Sequence, residues 1–105
     1  PDLHADLTTR ERVILQTSPE MCQSCHTMIN SLGFSLEHFD AVGRYRQTEQ
    51  EKPIDSTGTY ITKAGETAEF SDVRDLAGFL TTTPEVPEAF SSQLFHFTVK
   101  QPLMA

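Results

Sequence analysis

The chain has 105 residues, of which 37% are hydrophobic and 22% are charged, and this composition indicates one globular domain over residues 1–105. Its formal net charge of −7 argues against nucleic acid or an anionic membrane surface as a partner, because both repel an acidic protein. No run of apolar residues reaches the length of about 18 that spans a bilayer, so direct membrane insertion is not expected.

Two helix starts are predicted close to the N-terminus. Residues 8–11, Thr-Thr-Arg-Glu, have the pattern of a capping box and predict a first helix over about residues 9–17. Residues 18–20, Ser-Pro-Glu, combine an N-cap residue, a proline at the first helical position and an acidic residue in the first turn. They predict a second helix that runs to about Ile29 and is broken by residues 30–33, Asn-Ser-Leu-Gly.

The second predicted helix carries the motif Cys22-Gln23-Ser24-Cys25-His26. Two cysteines separated by two residues, with a histidine directly after the second, are typical of a c-type haem attachment site. On a helix the two thiols lie on one face about one turn apart, where each can add to one haem vinyl group. His26 can then serve as the proximal iron ligand. The sequence therefore predicts one covalently bound haem c held by Cys22, Cys25 and His26.

Other chemistries are compatible with two close cysteines. A structural zinc site needs two further ligands, commonly a second close pair, and the chain has no other cysteine. A dithiol redox motif is expected beside a βαβ pattern, which is not visible here. A disulfide between residues one helical turn apart has unfavourable geometry. These readings stay open but have less support than haem, and the remaining histidines are scattered through the sequence: His4, His38 and His96.

The rest of the chain predicts short strands and two more helices. Residues 34–39 suit a short helix or turn, and Tyr45 is expected to pair with residues 59–62 in a two-stranded hairpin. Ser71 is predicted to cap a helix that ends near Leu80, and a last helix is predicted over about residues 85–99. The expected fold is a mostly α, small cytochrome c-like helical domain around one covalent haem, with a short β-hairpin insertion.

The string from residue 22 to residue 46 points to a more specific relationship. After the haem motif it contains Leu-Gly-Phe, Leu-Glu-His-Phe-Asp and Gly-Arg-Tyr-Arg, and Pro-Ile-Asp-Ser-Thr-Gly follows at residues 53–58. This pattern resembles the planctomycete-type cytochrome c domain, a haem-binding module of large exported proteins. Asn30-Ser31 replaces the usual Asp-Pro and His38 replaces an Asn, and neither change is expected to touch the haem motif. The resemblance implies a module of a longer polypeptide, in agreement with a chain that begins at Pro1.

The ligand on the other side of the iron decides whether the haem is a closed electron carrier or an open binding site. Residues 44–88 contain neither methionine nor histidine, so the usual methionine from a loop before the last helix is missing. Met21 and Met28 flank the motif and are expected to pack at the haem edge. The candidates for the distal ligand are His96 and Met104.

The expected function is single-electron transfer by a haem protein that is not an enzyme. Its partner is expected to be a redox protein or a neighbouring domain with a basic docking face, because the chain is acidic. Covalent haem attachment takes place outside the cytoplasmic membrane, which indicates a periplasmic or otherwise exported protein. The alternative is an open-site haem protein, either a gas sensor or a peroxidase-like ligand binder.

Overall fold

The computed structural model describes residues 4–100, in which four helices and two small hairpins follow one another along the chain. Two helices come first: α1 (Thr9–Gln16) and α2 (Glu20–Phe34). Four short strands follow: β1 (Thr48–Glu49), β2 (Lys52–Pro53), β3 (Gly58–Ile61) and β4 (Thr67–Phe70). The last two helices are α3 (Val73–Thr82) and α4 (Glu85–Val99).

The predicted capping box at the start of α1 is confirmed. The Glu11 backbone N–H donates to the Thr8 hydroxyl oxygen at 3.2 Å, and the Thr8 N–H donates to the Glu11 carboxylate at 2.8 Å. Both bonds involve residues three apart in sequence, which explains why the local pattern was sufficient to predict them.

The prediction for the second helix was right about its start to within one residue and wrong about its end. Pro19 is the N-cap and makes no side-chain cap bond, while the Ser18 hydroxyl donates instead to the Leu15 carbonyl at 2.8 Å. The helix continues through residues 30–33 to Phe34. Asn30 and Ser31 do not compete for the helix backbone, because their side chains are hydrogen-bonded to Thr17 and Thr59.

The predicted hairpin between Tyr45 and residues 59–62 is wrong. Tyr45 forms a single bridge with Phe39, and the sheet pairs are β1 with β2 and β3 with β4, both antiparallel. The β1–β2 loop has positive φ at both central residues, Gln50 (51°) and Glu51 (60°), a conformation that usually selects glycine or asparagine. Because neither residue is present, this turn has no sequence signal.

The two later helices agree better with their predictions. Asp72, rather than Ser71, is the N-cap of α3, and its carboxylate accepts hydrogen bonds from the Arg74 and Asp75 N–H groups at 2.8 and 3.1 Å. The helix runs two residues beyond Leu80, while α4 has the predicted bounds.

The packing centre lies between α2 and β3, with Phe34 and Phe70 as the buried large apolar side chains among residues 4–100. The Arg10 guanidinium lies over the Phe34 ring, 4.2 Å from its centroid. The radius of gyration, 16.7 Å, exceeds the value of about 13 Å typical of a compact domain of this length. In the part of the chain described, no helix is both long and apolar enough to cross a membrane. A small core and an extended outline leave much apolar surface exposed.

Candidate functional site

Cys22 and Cys25 lie on the same side of α2, one turn apart, as their spacing predicts. Both are free cysteines; Cys22 is half-buried and Cys25 is exposed. The Ser24 hydroxyl contacts the Cys25 sulfur at 3.8 Å. The thiols are therefore reachable from solvent on one side of the helix.

His26 is half-buried, and it is linked through Asn30 of the same helix to the end of α1. Its Nδ1 lies 3.1 Å from the Asn30 amide oxygen. The Asn30 amide nitrogen donates to the Thr17 hydroxyl oxygen at 2.8 Å, and the Thr17 hydroxyl donates to the Val13 carbonyl at 2.7 Å. Nδ1 is thus engaged by the protein, so that Nε2 is the ring nitrogen left to act as a ligand.

Asn30 is a residue that the sequence interpretation missed. Its replacement of an aspartate was expected to leave the haem motif untouched, and the 3.1 Å contact with His26 corrects that expectation. The signal was present, because Asn30 lies four residues after His26 and this spacing makes side chains neighbours on a helix.

The motif lies on an apolar face of α2 that is turned outward. The residues of this face recur at helical spacing. Two of them are largely exposed: Met21 at 88% and Ile29 at 59%. The opposite, polar side of the helix packs against α1 and β3 through Asn30 and Ser31. This inward side also buries Phe34, but Met21 and Ile29 stay exposed, whereas an ordinary surface helix buries its apolar stripe. We call this surface the outer face of α2; its residues are Met21, Cys22, Cys25, Ile29 and Leu32.

An apolar cavity of about 280 Å³ lies at the end of this face, between α2, β3, α3 and the start of α4. Both helices contribute to its lining: α2 through Leu32, and α4 through Val86 and Ala89. Beyond the cavity, apolar side chains follow Val86 along one side of α4 at helical spacing. Phe90 is 68% exposed and Phe97 is 73% exposed. Two exposed apolar surfaces, one on each helix, therefore meet at one cavity. Large exposed apolar patches of this kind mark binding surfaces.

The first turn of α4 is anchored by Glu85. Its carboxylate accepts from the Tyr60 hydroxyl at 2.7 Å and from the Lys63 backbone N–H at 2.6 Å. The hydrogen bond from Tyr60 has the largest effect in lowering the pKa of Glu85, and the bond from Lys63 has the next largest. The bond between Tyr60 and Glu85 also raises the pKa of the Tyr60 hydroxyl. Lys63 also pairs with Glu88 at 3.6 Å. These contacts set where α4 leaves the cavity.

The two candidates for the distal ligand have different outcomes. His96 is half-buried on α4, two turns after Ala89 on the same side of the helix. Met104 lies outside the described residues. His38, which was expected to be a surface histidine, is half-buried; its Nδ1 lies 2.9 Å from the Arg46 carbonyl oxygen, and its ring stacks on Tyr45 with centroids 5.2 Å apart.

The residues present fit a covalently attached haem. Two free thiols share a helical face, an imidazole has its Nδ1 engaged, and apolar side chains surround both on the exposed surface. Between residues 4 and 100, no group of three or more histidine, cysteine or acidic side chains is arranged to hold a metal ion directly.

Comparison with known proteins gives one family. Residues 1–49 match the family model PSCyt3, which is described as a protein of unknown function (DUF1588). The family name refers to planctomycete cytochrome c-type proteins. The match includes α1, the Cys22–His26 motif and the whole of α2, and it covers less than half of the chain. No curated protein and no solved structure matches.

Proposed function

We propose that this chain is a c-type cytochrome module that binds one haem covalently and transfers single electrons to or from a redox partner or a neighbouring domain. The observation that carries the proposal is the outer face of α2, where Cys22, Cys25 and the adjacent His26 stand among exposed apolar side chains. An apolar surface exposed around three haem-attaching residues suits a large planar apolar group covering it.

Each chemical role falls to one side chain of α2. Cys22 and Cys25 would each add across a vinyl group: an S–C bond forms at one vinyl carbon, the thiol hydrogen passes to the other, and no net oxidation occurs. His26 would bind the iron through Nε2, because Asn30 engages Nδ1. When bound, haem supplies an iron that cycles between the ferric and ferrous states.

The apolar residues of α2 and α4 would exclude water from the bound group and lower the local polarity, which favours the reduced iron. His96 is the described candidate for the distal ligand because it follows Ala89, a residue of the shared cavity, on one side of α4. We further propose a cytochrome c-like fold, a carrier rather than an enzyme, and a periplasmic or otherwise exported location. The net charge of −7 suits a partner with a basic docking face.

An open-site haem protein is the second candidate, and the lack of methionine and histidine over residues 44–88 favours it. Such a protein would bind small molecules at the iron instead of passing electrons.

Absorption spectra separate the two candidates. The protein is expressed with cytochrome c maturation machinery, and spectra of the oxidised and reduced forms are recorded with and without carbon monoxide. A low-spin spectrum unaffected by carbon monoxide supports the electron carrier, whereas a high-spin spectrum with ready carbon monoxide binding supports the open site. A colourless wild-type protein refutes covalent haem. Covalent haem is also refuted if the Cys22→Ala/Cys25→Ala variant keeps its colour after denaturation as well as the wild type does.

The distal ligand is identified by two variants in the same assay. His96→Ala is expected to convert the low-spin spectrum to high spin if His96 is the ligand, and Met104→Ala is expected to do so if Met104 is. His38→Ala is the matched control, because His38 has its own partners in Arg46 and Tyr45. If neither His96→Ala nor Met104→Ala changes the spectrum, both assignments are wrong.

A further inference from the structure

The hydrogen bonds that start at Val13 determine where the proton of His26 lies. The Thr17 hydroxyl has one hydrogen, which it donates to the Val13 carbonyl at 2.7 Å. Its oxygen must therefore accept from Asn30, whose amide nitrogen is 2.8 Å away. The other end of the Asn30 side chain, which faces His26 Nδ1 at 3.1 Å, is then the carbonyl oxygen. An oxygen at that place requires a hydrogen on Nδ1.

The reverse arrangement satisfies fewer groups. If the Asn30 amide were turned over, its oxygen would face Thr17 and its nitrogen would face Nδ1. The Thr17 hydroxyl would then have to leave the Val13 carbonyl to donate to Asn30, and two side-chain bonds would replace three. The observed arrangement keeps all three bonds. It links the C-terminal end of α1, where Thr17 is the C-cap, to the histidine on α2.

We propose that Asn30 is a positioning residue for His26: with Thr17 holding its amide, it keeps the hydrogen on Nδ1, presents the Nε2 lone pair for iron, and fixes the plane of the ring. The inference rests on the proposed haem function for its purpose, but the proton position is a property of the chain itself. A neutral amide at this place withdraws the Nδ1 proton less than a carboxylate would, so it leaves the imidazole a weaker electron donor. Compared with an aspartate at this position, Asn30 therefore favours the reduced iron.

The first test measures the proton directly. The full-length chain, labelled with 15N-histidine, is studied by long-range 1H–15N NMR at about pH 9, where histidine side chains are neutral. The wild type is expected to carry the hydrogen of His26 on Nδ1. Asn30→Ala is expected to move the ratio of the two tautomers by about fivefold towards Nε2–H, the factor that one net hydrogen bond supplies. Asn30→Asp keeps an acceptor and is expected to retain Nδ1–H.

Thr17→Val tests the second link and has a matched control in Thr27→Val. Both hydroxyls donate to a carbonyl four residues earlier at 2.7 Å, but Thr17 alone of the two accepts from Asn30. Thr17→Val is expected to shift the tautomer ratio in the direction of Asn30→Ala, and Thr17→Ser to restore it. A wild-type His26 with hydrogen on Nε2, or equal shifts in Thr17→Val and Thr27→Val, overturns the inference.

The haem-loaded protein provides the second readout. Asn30→Asp is expected to lower the reduction potential and Asn30→Ala to raise it, while Thr27→Val leaves it unchanged. Potentials that do not respond in this order overturn the positioning role. A chain that shows the expected tautomer but never takes up haem refutes the proposed function alone. Haem uptake with a tautomer unaffected by Asn30→Ala refutes this inference alone.

Discussion

Gly58 lies where β3 begins, directly against α2. A Cβ atom at this position would overlap the backbone carbonyl oxygen of Ser31 and would lie 2.9 Å from the Ser35 hydroxyl oxygen. Ser35 is fully buried, and its hydroxyl has no hydrogen-bond partner among residues 4–100. The substitution Gly58→Ala therefore forces β3 and α2 apart at the helix that carries Cys22 and Cys25.

The expected cost follows from two opposing effects. Overpacking typically costs about 1–3 kcal/mol, and the upper end applies because the Ser31 carbonyl belongs to a helix backbone and cannot rotate away as a flexible side chain can. Alanine also restricts the unfolded chain, which returns up to about 1 kcal/mol. The net loss in the free energy of unfolding is about 2 kcal/mol, which lowers the Tm of a domain of this size by roughly 10 °C.

Urea unfolding followed by far-ultraviolet circular dichroism measures this loss. Gly78→Ala is the matched control, because Gly78 lies within α3 and a Cβ there meets nothing within 4 Å. Alanine in the interior of a helix is expected to stabilise the protein by about 0.5–1 kcal/mol. If Gly58→Ala unfolds within about 0.5 kcal/mol of the wild type, the close packing of β3 on α2 is wrong.

Three further predictions concern the contacts around α2 and α4. Arg46→Met is expected to cost about 2 kcal/mol, because Arg46 bonds the largely buried carboxylates of Glu37 at 3.1 Å and Glu49 at 2.9 Å. Burial raises the pKa of Glu37 and the Arg46 charge opposes that rise. Urea unfolding should therefore give the full cost where Glu37 is ionised and a smaller cost as the pH falls through its raised pKa, which lies above 4.5, the ordinary glutamate value; a cost independent of pH contradicts the pairing. Phe34→Ala, measured in the same way, is expected to cost about 3 kcal/mol by removing a buried ring, and a loss under about 1 kcal/mol contradicts its place in the core. Glu85→Gln is expected to lower the raised pKa of Tyr60, which NMR of the Tyr60 ring carbons measures. If the Tyr60 titration is unchanged, the hydrogen bond by which Glu85 anchors α4 is wrong.

The helices show which parts of this fold local sequence could predict. α1 lies where its capping box placed it and α4 lies where its apolar spacing placed it, because those signals act between residues a few positions apart. The end of α2 could not be predicted, because Asn30 and Ser31 stay helical through bonds to Thr17 and Thr59, which are distant in sequence. The pairing of β3 with β4 was missed for the same kind of reason: strands of four residues depend on the surface against which they pack.

For the candidate site, local sequence was enough to identify the reactive side chains. Two cysteines and a histidine at fixed spacing on a helix define the thiols and the imidazole, since that geometry follows from the helical repeat alone. The side of α2 that faces outward and the ring nitrogen of His26 that contacts Asn30 could be read only from the folded structure. Both depend on α1 and β3 packing against the polar side of the helix, where Thr17 reaches Asn30 and Asn30 reaches His26.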